Sequence, residues 1–270
     1  MFIRPEGKSK LSELEKKKLE IEAKEFSSSV RLQLKLNDID NIDIIRLLEQ
    51  QGILVFQIKG LKSSGFIRIL EEEKAIFLNG SEPLGRQYYT ATHEYCHILR
   101  DLDKVRGIDE NLEESGYEIA KMEYFAFKFA DYFLMPEKSL LHYLEVLNIN
   151  DFSLIKIADV FSIQHHFKLS YRQVTRMMNK YDIITDLQRE DFNKLSSKEN
   201  PDELVHATNE AGFDTSLIFP LEESRIPTRF MEYITQNIKN ERLTQKKAIY
   251  LSNLLGIPSL LSYVQGDDFN

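Results

Sequence analysis

Tyr89-Thr90-Ala91-Thr92-His93-Glu94-Tyr95-Cys96-His97-Ile98-Leu99-Arg100 is the stretch on which the reading of this chain turns. Apolar periodicity predicts a helix over Arg86–Asp103. Four residues separate His93 from His97, so both imidazoles lie on one helix face, one turn apart, a spacing that suits two tetrahedral positions on zinc. Glu94 sits beside the first imidazole, where a carboxylate reaches a water on the metal instead of the metal itself, the H-E-x-x-H arrangement. Two histidines leave a zinc site one protein ligand short. The downstream carboxylates are Asp101, Asp103, Asp109, Glu110, Glu113, Glu114, Glu118 and Glu123. Most fall in a stretch that reads as an exposed loop. Glu123 falls inside the next predicted helix, Tyr117–Met135, on the stripe of Phe127, Ala130 and Leu134. A carboxylate on an apolar stripe is costly unless a charge meets it. Glu123 is therefore the first choice for third ligand and Glu118 the second.

Outward from this helix the periodicity changes. Ile53–Phe56, Gly65–Leu70 and Ala75–Leu78 read as strands separated by turn-length gaps, which predicts a small antiparallel sheet. Upstream, Ser12 and Glu15 have capping-box spacing at the head of a helix, and a second helix over Asn41–Gln51 stops at Gly52. Downstream, helices fit Lys138–Leu147, Leu154–Phe161, Tyr171–Tyr181, Thr228–Asn240 and Thr244–Leu255. The expected fold class is α+β, mostly helical, with the small sheet packed on the histidine-bearing helix and a helical C-terminal extension. The expected organisation is a core at 1–150, a helical segment at 151–185, a linker at 186–201, where the chain is polar and poorly periodic, and a small helical region at 202–270.

Composition bounds the function. The 270 residues are 42% hydrophobic and 29% charged, a globular balance. One cysteine, Cys96, excludes an internal disulfide and a cysteine-built zinc ribbon; it reads as a small buried hydrophobe. A net charge of −8 argues against a chain-wide polyanion-binding surface. Met1–Lys8 has no secretory-type apolar segment and no apolar run approaches a membrane span, so a cytoplasmic location without membrane attachment is expected. Residues 153–181 echo a helix-turn-helix and carry a formal +4, but Ser162–Lys168 reads as too long a turn, so direct DNA binding is not expected. His165 and His166 read as loop histidines.

Gln87–His97 resembles the active-site helix of the ImmA/IrrE family of zinc metallo-endopeptidases. Glu123-Tyr124-Phe125-Ala126-Phe127-Lys128-Phe129-Ala130-Asp131-Tyr132-Phe133-Leu134-Met135-Pro136 resembles the family's second signature, a helix that opens with a metal-binding Glu and closes in Leu-Met-Pro. The likeness covers about residues 10–150. It implies a zincin-like minimal core with one zinc per chain, His93, His97 and Glu123 as ligands, and Glu94 as catalytic acid and base. It also implies a substrate, a helix-turn-helix transcriptional repressor whose cleavage derepresses genes of a mobile element or a stress response. The alternative is a non-enzymatic regulator, a DNA- or protein-binding module whose metal site is structural or vestigial. Phe127 departs from the signature, which usually has a small polar residue there; the departure bears on a hydrogen bond behind the ligands. An extra donor to the tetrahedral oxyanion is expected among Tyr88, Tyr89, Tyr117, His165, His166 and Arg172.

Overall fold

A computed structural model describes residues 11–37, 39, 41–102, 112–196 and 201–256. In chain order the elements are α1 (Glu13–Gln33), α2 (Ile44–Gln50), β1 (Leu54–Ile58), β2 (Gly65–Leu70), β3 (Glu73–Asn79), α3 (Leu84–Arg100), α4 (Leu112–Leu134) and α5 (Glu137–Val146). A 3-10 turn at Phe152–Leu154 leads to α6 (Ile157–Phe167), α7 (Tyr171–Lys180), α8 (Asp186–Lys194), α9 (Pro201–Glu210), α10 (Thr228–Lys239) and α11 (Gln245–Leu255). The class is α+β and mostly helical, as the periodicity implies. Among the described residues no helix is long and apolar enough to cross a membrane.

The sheet corrects one expectation: it is mixed, with strand order β1-β3-β2. β2 and β3 are antiparallel because only Glu71 and Glu72 join them, a two-residue hairpin with Glu71 at φ 55°. β1 runs parallel to β3 with Val55 opposite Ile76. The 59–64 connection crosses to the far edge, leaving room for β3 in the middle. All five residues of β1 are buried, because the strand is covered on both faces. Val55, Ile76 and Leu78 join the helical core, whereas Leu54, Phe56 and Ile58 form a second cluster with Phe77 and Phe230 of α10. The Phe56 ring stacks on Phe77 at 4.6 Å and meets Phe230 edge-on at 4.9 Å.

The main core holds α3 against α4. Ala91 and Cys96 on α3 and Ala126 and Ala130 on α4 are fully buried, small side chains that let the helices approach closely. Helix α1 packs along α4 and is anchored by the buried Arg31, whose Nη1 donates to the Phe133 carbonyl at 2.8 Å. The Ser12–Glu15 capping box closes its N-terminus.

The head of α3 is finished by residues far along the chain. Pro83 stands at the N-cap and makes no side-chain cap bond. The first free N–H groups of the helix need acceptors, and Leu84 and Gly85 donate to the carbonyls of Phe219 and Leu217, both at 3.1 Å. The same segment closes the open edge of β1, where Gln57 and Arg225 exchange two backbone hydrogen bonds of 2.8 Å. Gly85 also lies under the α6–α7 turn. A Cβ placed there would meet Leu169 C and Ser170 N at 2.8 Å, backbone against backbone. Gly85→Ala is therefore expected to lower stability by about 1–3 kcal/mol through overpacking. A thermal melt checks this, and a variant melting together with the parent would contradict the close approach.

Two further expectations change. The stretch read as a linker contains α8, capped by Thr185, with Phe192 buried in the main core. Its apolar residues are too few to show a stripe, so the sequence pattern hides it. The α6–α7 connection is only Lys168–Ser170, with Lys168 left-handed at φ 53°. The turn is as tight as a helix-turn-helix requires, because α6 continues through His165 and His166, which are helical. His165 stacks on Phe213 and His166 on Tyr143. The basic residues there are largely tied inward. Lys168 pairs with Asp43 at 2.7 Å, Arg172 with Ser196, Arg176 with Asp131 and Lys180 with Glu20.

Candidate metal centre

His93 and His97 project from the buried face of α3, and Glu123 projects toward them from α4. The three Nε2 and carboxylate atoms form a small triangle. The two Nε2 atoms are 3.2 Å apart, His93 Nε2 is 3.4 Å from Glu123 Oε2, and His97 Nε2 is 3.5 Å from Glu123 Oε1. The edge of a tetrahedron with bonds of about 2.0–2.1 Å is about 3.3–3.4 Å. Both imidazoles present the same nitrogen to one point, opposite one carboxylate. Two nitrogen donors and one carboxylate oxygen at these separations fit a zinc ion, and among the described residues they are the one such cluster.

Behind His97 stands a carboxylate that spacing alone marks poorly. Asp101, the C-cap of α3, is fully buried, and its Oδ2 lies 2.8 Å from His97 Nδ1. The signal was present, since His93, His97 and Asp101 repeat every four residues along one face. Asp101 caps the end of the helix, inside the Arg86–Asp103 span expected for it. It fixes the ring and turns Nε2 toward the triangle. His93 has no equivalent: its buried Nδ1 has no hydrogen-bond partner, and the Phe127 ring packs on it at 4.4 Å. The position where a polar side chain was expected thus contributes a ring contact.

Charge in the cluster is tightly coupled. Burial opposes the charge on His97, but Asp101, then Glu123 and Glu94, outweigh it and hold the pKa up at about 9. Burial also works against the Glu123 carboxylate, yet the two imidazoles hold it well below its ordinary value of 4.5. The signs give a window for protein stripped of metal. The raised His97 contributes stability that is complete below 6.5 and is lost as pH rises through about 9. The depressed Glu123 contributes stability that is present above 4.5 and is lost as pH falls below it. Chelator-treated protein should therefore melt highest between pH 4.5 and 6.5. Zinc uptake near neutral pH should release the His97 proton, because the imidazole must be neutral to bind. Melting curves against pH and an indicator dye in weak buffer check both.

Glu94 is half-buried on the same helix and shares a cleft of about 900 Å3 with the three residues. Strand β2 forms the opposite wall and sits very close. A Cβ on Gly65 would fall 2.6 Å from Thr90 Cγ2 and 3.5 Å from Glu94 Cγ. The floor is a polar network around the buried Asp131. Tyr89 donates to its Oδ1 at 2.9 Å and Gln173 at 2.7 Å, and Arg176 pairs with it. Burial, then the Asp131 charge, raises the Tyr89 pKa well above its ordinary value, so the phenol remains a donor.

Of the oxyanion-donor candidates, only Tyr89 lines the cleft. Tyr117 bonds Glu15, Arg172 bonds Ser196, and Lys168 lies over the ring of Tyr88. Gln173 and Arg176 line the cleft and were not singled out; their i,i+3 spacing on α7 becomes informative only once α7 is known to border α3 and α4. Glu118, the second choice for third ligand, is paired with Lys121 at 2.9 Å. Asp103, Asp109 and Glu110 lie outside the described residues, and so do the side chains of Glu113 and Glu114. Cys96 is fully buried, and burial raises its thiol pKa well above the ordinary range, which leaves it an inert hydrophobe.

Residues 48–179, just under half of the chain, match a family model described as Peptidase_M78, IrrE N-terminal-like domain. No curated protein matches the chain. A solved structure of a Mycobacterium tuberculosis transcriptional regulator is 15% identical, with a TM-score of 0.37 over 60% of this chain and 46% of that one.

Proposed function

Residues 48–179 belong to the IrrE N-terminal-like, M78 peptidase family, and on that premise we propose that the chain is a zinc-dependent endopeptidase acting in the cytoplasm on a folded protein. The single observation that carries this reading is the triangle of His93, His97 and Glu123 with Glu94 beside it in an open cleft. His93, His97 and Glu123 hold the metal, and Asp101 holds His97. A zinc ion there would supply a Lewis acid for a peptide carbonyl and acidify a water toward neutral pH.

The chain's own residues do the rest. Glu94 takes a proton from the attacking water onto a carboxylate oxygen and passes it to the departing amine. Gly65 lets the head of β2 pack directly on Thr90 of α3, which sets the strand edge beside Glu94. The outer edge of β2 has no partner strand among the described residues, which suits an extended peptide. The Tyr89–Asp131–Gln173–Arg176 network fixes α3, α4 and α7 around the cleft and keeps polar donors at its floor.

The proposed substrate is a helix-turn-helix repressor whose cleavage derepresses its genes. The test is incubation with the repressors encoded beside the gene, with and without chelator, followed by electrophoresis. Defined fragments that disappear with chelator are expected. Intact repressor in a stable complex would instead favour a binding-only regulator.

A further inference from the structure

The cleft walls reverse the charge balance of the chain. The whole sequence has 43 acidic and 35 basic residues. Lining the cleft, by contrast, are Lys62, Arg68, Arg86, Lys128 and Arg176 against Glu94, Glu123 and Asp131. The acids are deep and engaged in the site itself. Glu123 faces the imidazoles, and Asp131 is held by Arg176, Gln173 and Tyr89. Two of the cations are partly neutralised from outside the cleft, Arg86 by Glu82 at 3.0 Å and Lys128 by Glu20 at 3.3 Å.

Lys62 and Arg68 differ. Both are exposed and line the cleft, Arg68 on β2 and Lys62 in the 59–64 connection that leads into it, and among the described residues neither meets a carboxylate. Glu73, at the start of β3 beyond the hairpin, is taken by Arg229 at 2.6 Å. Arg68 and Phe66 lie two apart on one face of β2, and the guanidinium sits 6.0 Å from the Phe66 ring centroid. The guanidinium is a planar donor fork that can take a carboxylate side-on.

Resting on the peptidase reading, we propose that Lys62 and Arg68 make this wall select peptide segments rich in aspartate and glutamate. A substrate chain laid along the outer edge of β2 would carry its side chains past Arg68 and, beyond the start of the strand, past Lys62. An acidic segment matches the wall and is otherwise repelled by the net-negative remainder of the protein, which steers it to the cleft. A peptide is favoured over nucleic acid because the outer edge of β2, without a partner strand among the described residues, offers backbone donors and acceptors to an extended polypeptide. A phosphate backbone has no amide groups to pair with that edge.

The test uses the full chain carrying Glu94→Gln, loaded with zinc, so that binding is read without cleavage. The probes are a dye-labelled peptide with glutamate at alternate positions, the same peptide with glutamine or lysine there, and a single-stranded oligonucleotide of equal length. Fluorescence anisotropy should give the glutamate peptide about tenfold tighter binding than the glutamine peptide, weakening with salt. Adding Lys62→Glu and Arg68→Glu should abolish that preference, with zinc content by elemental analysis showing that the site is intact. Equal binding of the two peptides, a preference that survives the double substitution, or tighter binding of the oligonucleotide would each overturn the proposal. The two readings fail separately. Parent protein that binds acidic peptides but cuts none sinks the peptidase and leaves the wall. Parent protein that cuts irrespective of charge, with chelator sensitivity, sinks the wall and leaves the peptidase.

Discussion

Glu94→Gln is expected to lower the rate of repressor cleavage about a thousandfold while zinc content stays at that of the parent. Glutamine has the shape of glutamate and cannot take up a proton. The substitution therefore leaves the cleft filled, the packing beside Gly65 unchanged and the triangle of His93, His97 and Glu123 untouched. Only proton transfer is removed. Cleavage products quantified over time, with elemental analysis of the same preparation, separate the two effects. A variant that cuts at the parent rate would remove Glu94 from the chemistry. A variant that loses zinc would make it part of the metal shell.

Glu123→Ala is expected to lower zinc affinity by more than about a hundredfold although both histidines remain, a larger loss than removal of an outer partner produces. The carboxylate is the only anion of the triangle, 3.4 Å from one imidazole nitrogen and 3.5 Å from the other. Without it the two nitrogens face each other at 3.2 Å with nothing negative opposite. Asp101→Asn grades the comparison. Asp101 meets the far nitrogen of His97 and, at 3.6 Å, Arg100, but no atom of the triangle, so its expected loss is about ten- to a hundredfold. Glu118→Ala, which removes only the partner of Lys121, should leave zinc binding as it was. Competition with a chromophoric chelator ranks the three. Equal affinities for parent and Glu123→Ala would exclude the carboxylate from the site.

The parts of this molecule legible from sequence are those whose signal is local. The four-residue spacing of His93 and His97 is a property of one helix, and the α3 stripe declares that helix. Glu123 stood out because a carboxylate on an apolar stripe needs a charged neighbour, and the structure places it against the two imidazoles. The parts that were not legible depend on contacts between distant residues. The parallel pairing of β1 with β3 is decided by how the 59–64 connection crosses the sheet, and no periodicity records that. Asp101 falls inside the helix expected at Arg86–Asp103, and only its burial against His97 Nδ1 separates it from the other downstream acids. The cap on Leu84 and Gly85 comes from Leu217 and Phe219, more than a hundred residues away and outside the family match. Helix α8 shows no stripe because Phe192 alone among its residues is buried. The tight α6–α7 turn was missed because His165 and His166, polar residues in a helix end, read as loop.

The most direct test of the account is anomalous diffraction at the zinc edge from crystals of the zinc-loaded full chain. The account predicts one strong peak per chain about 2.0–2.2 Å from His93 Nε2, His97 Nε2 and a Glu123 carboxylate oxygen. A peak elsewhere, or one bound by the two histidines with Glu123 turned away, would contradict it.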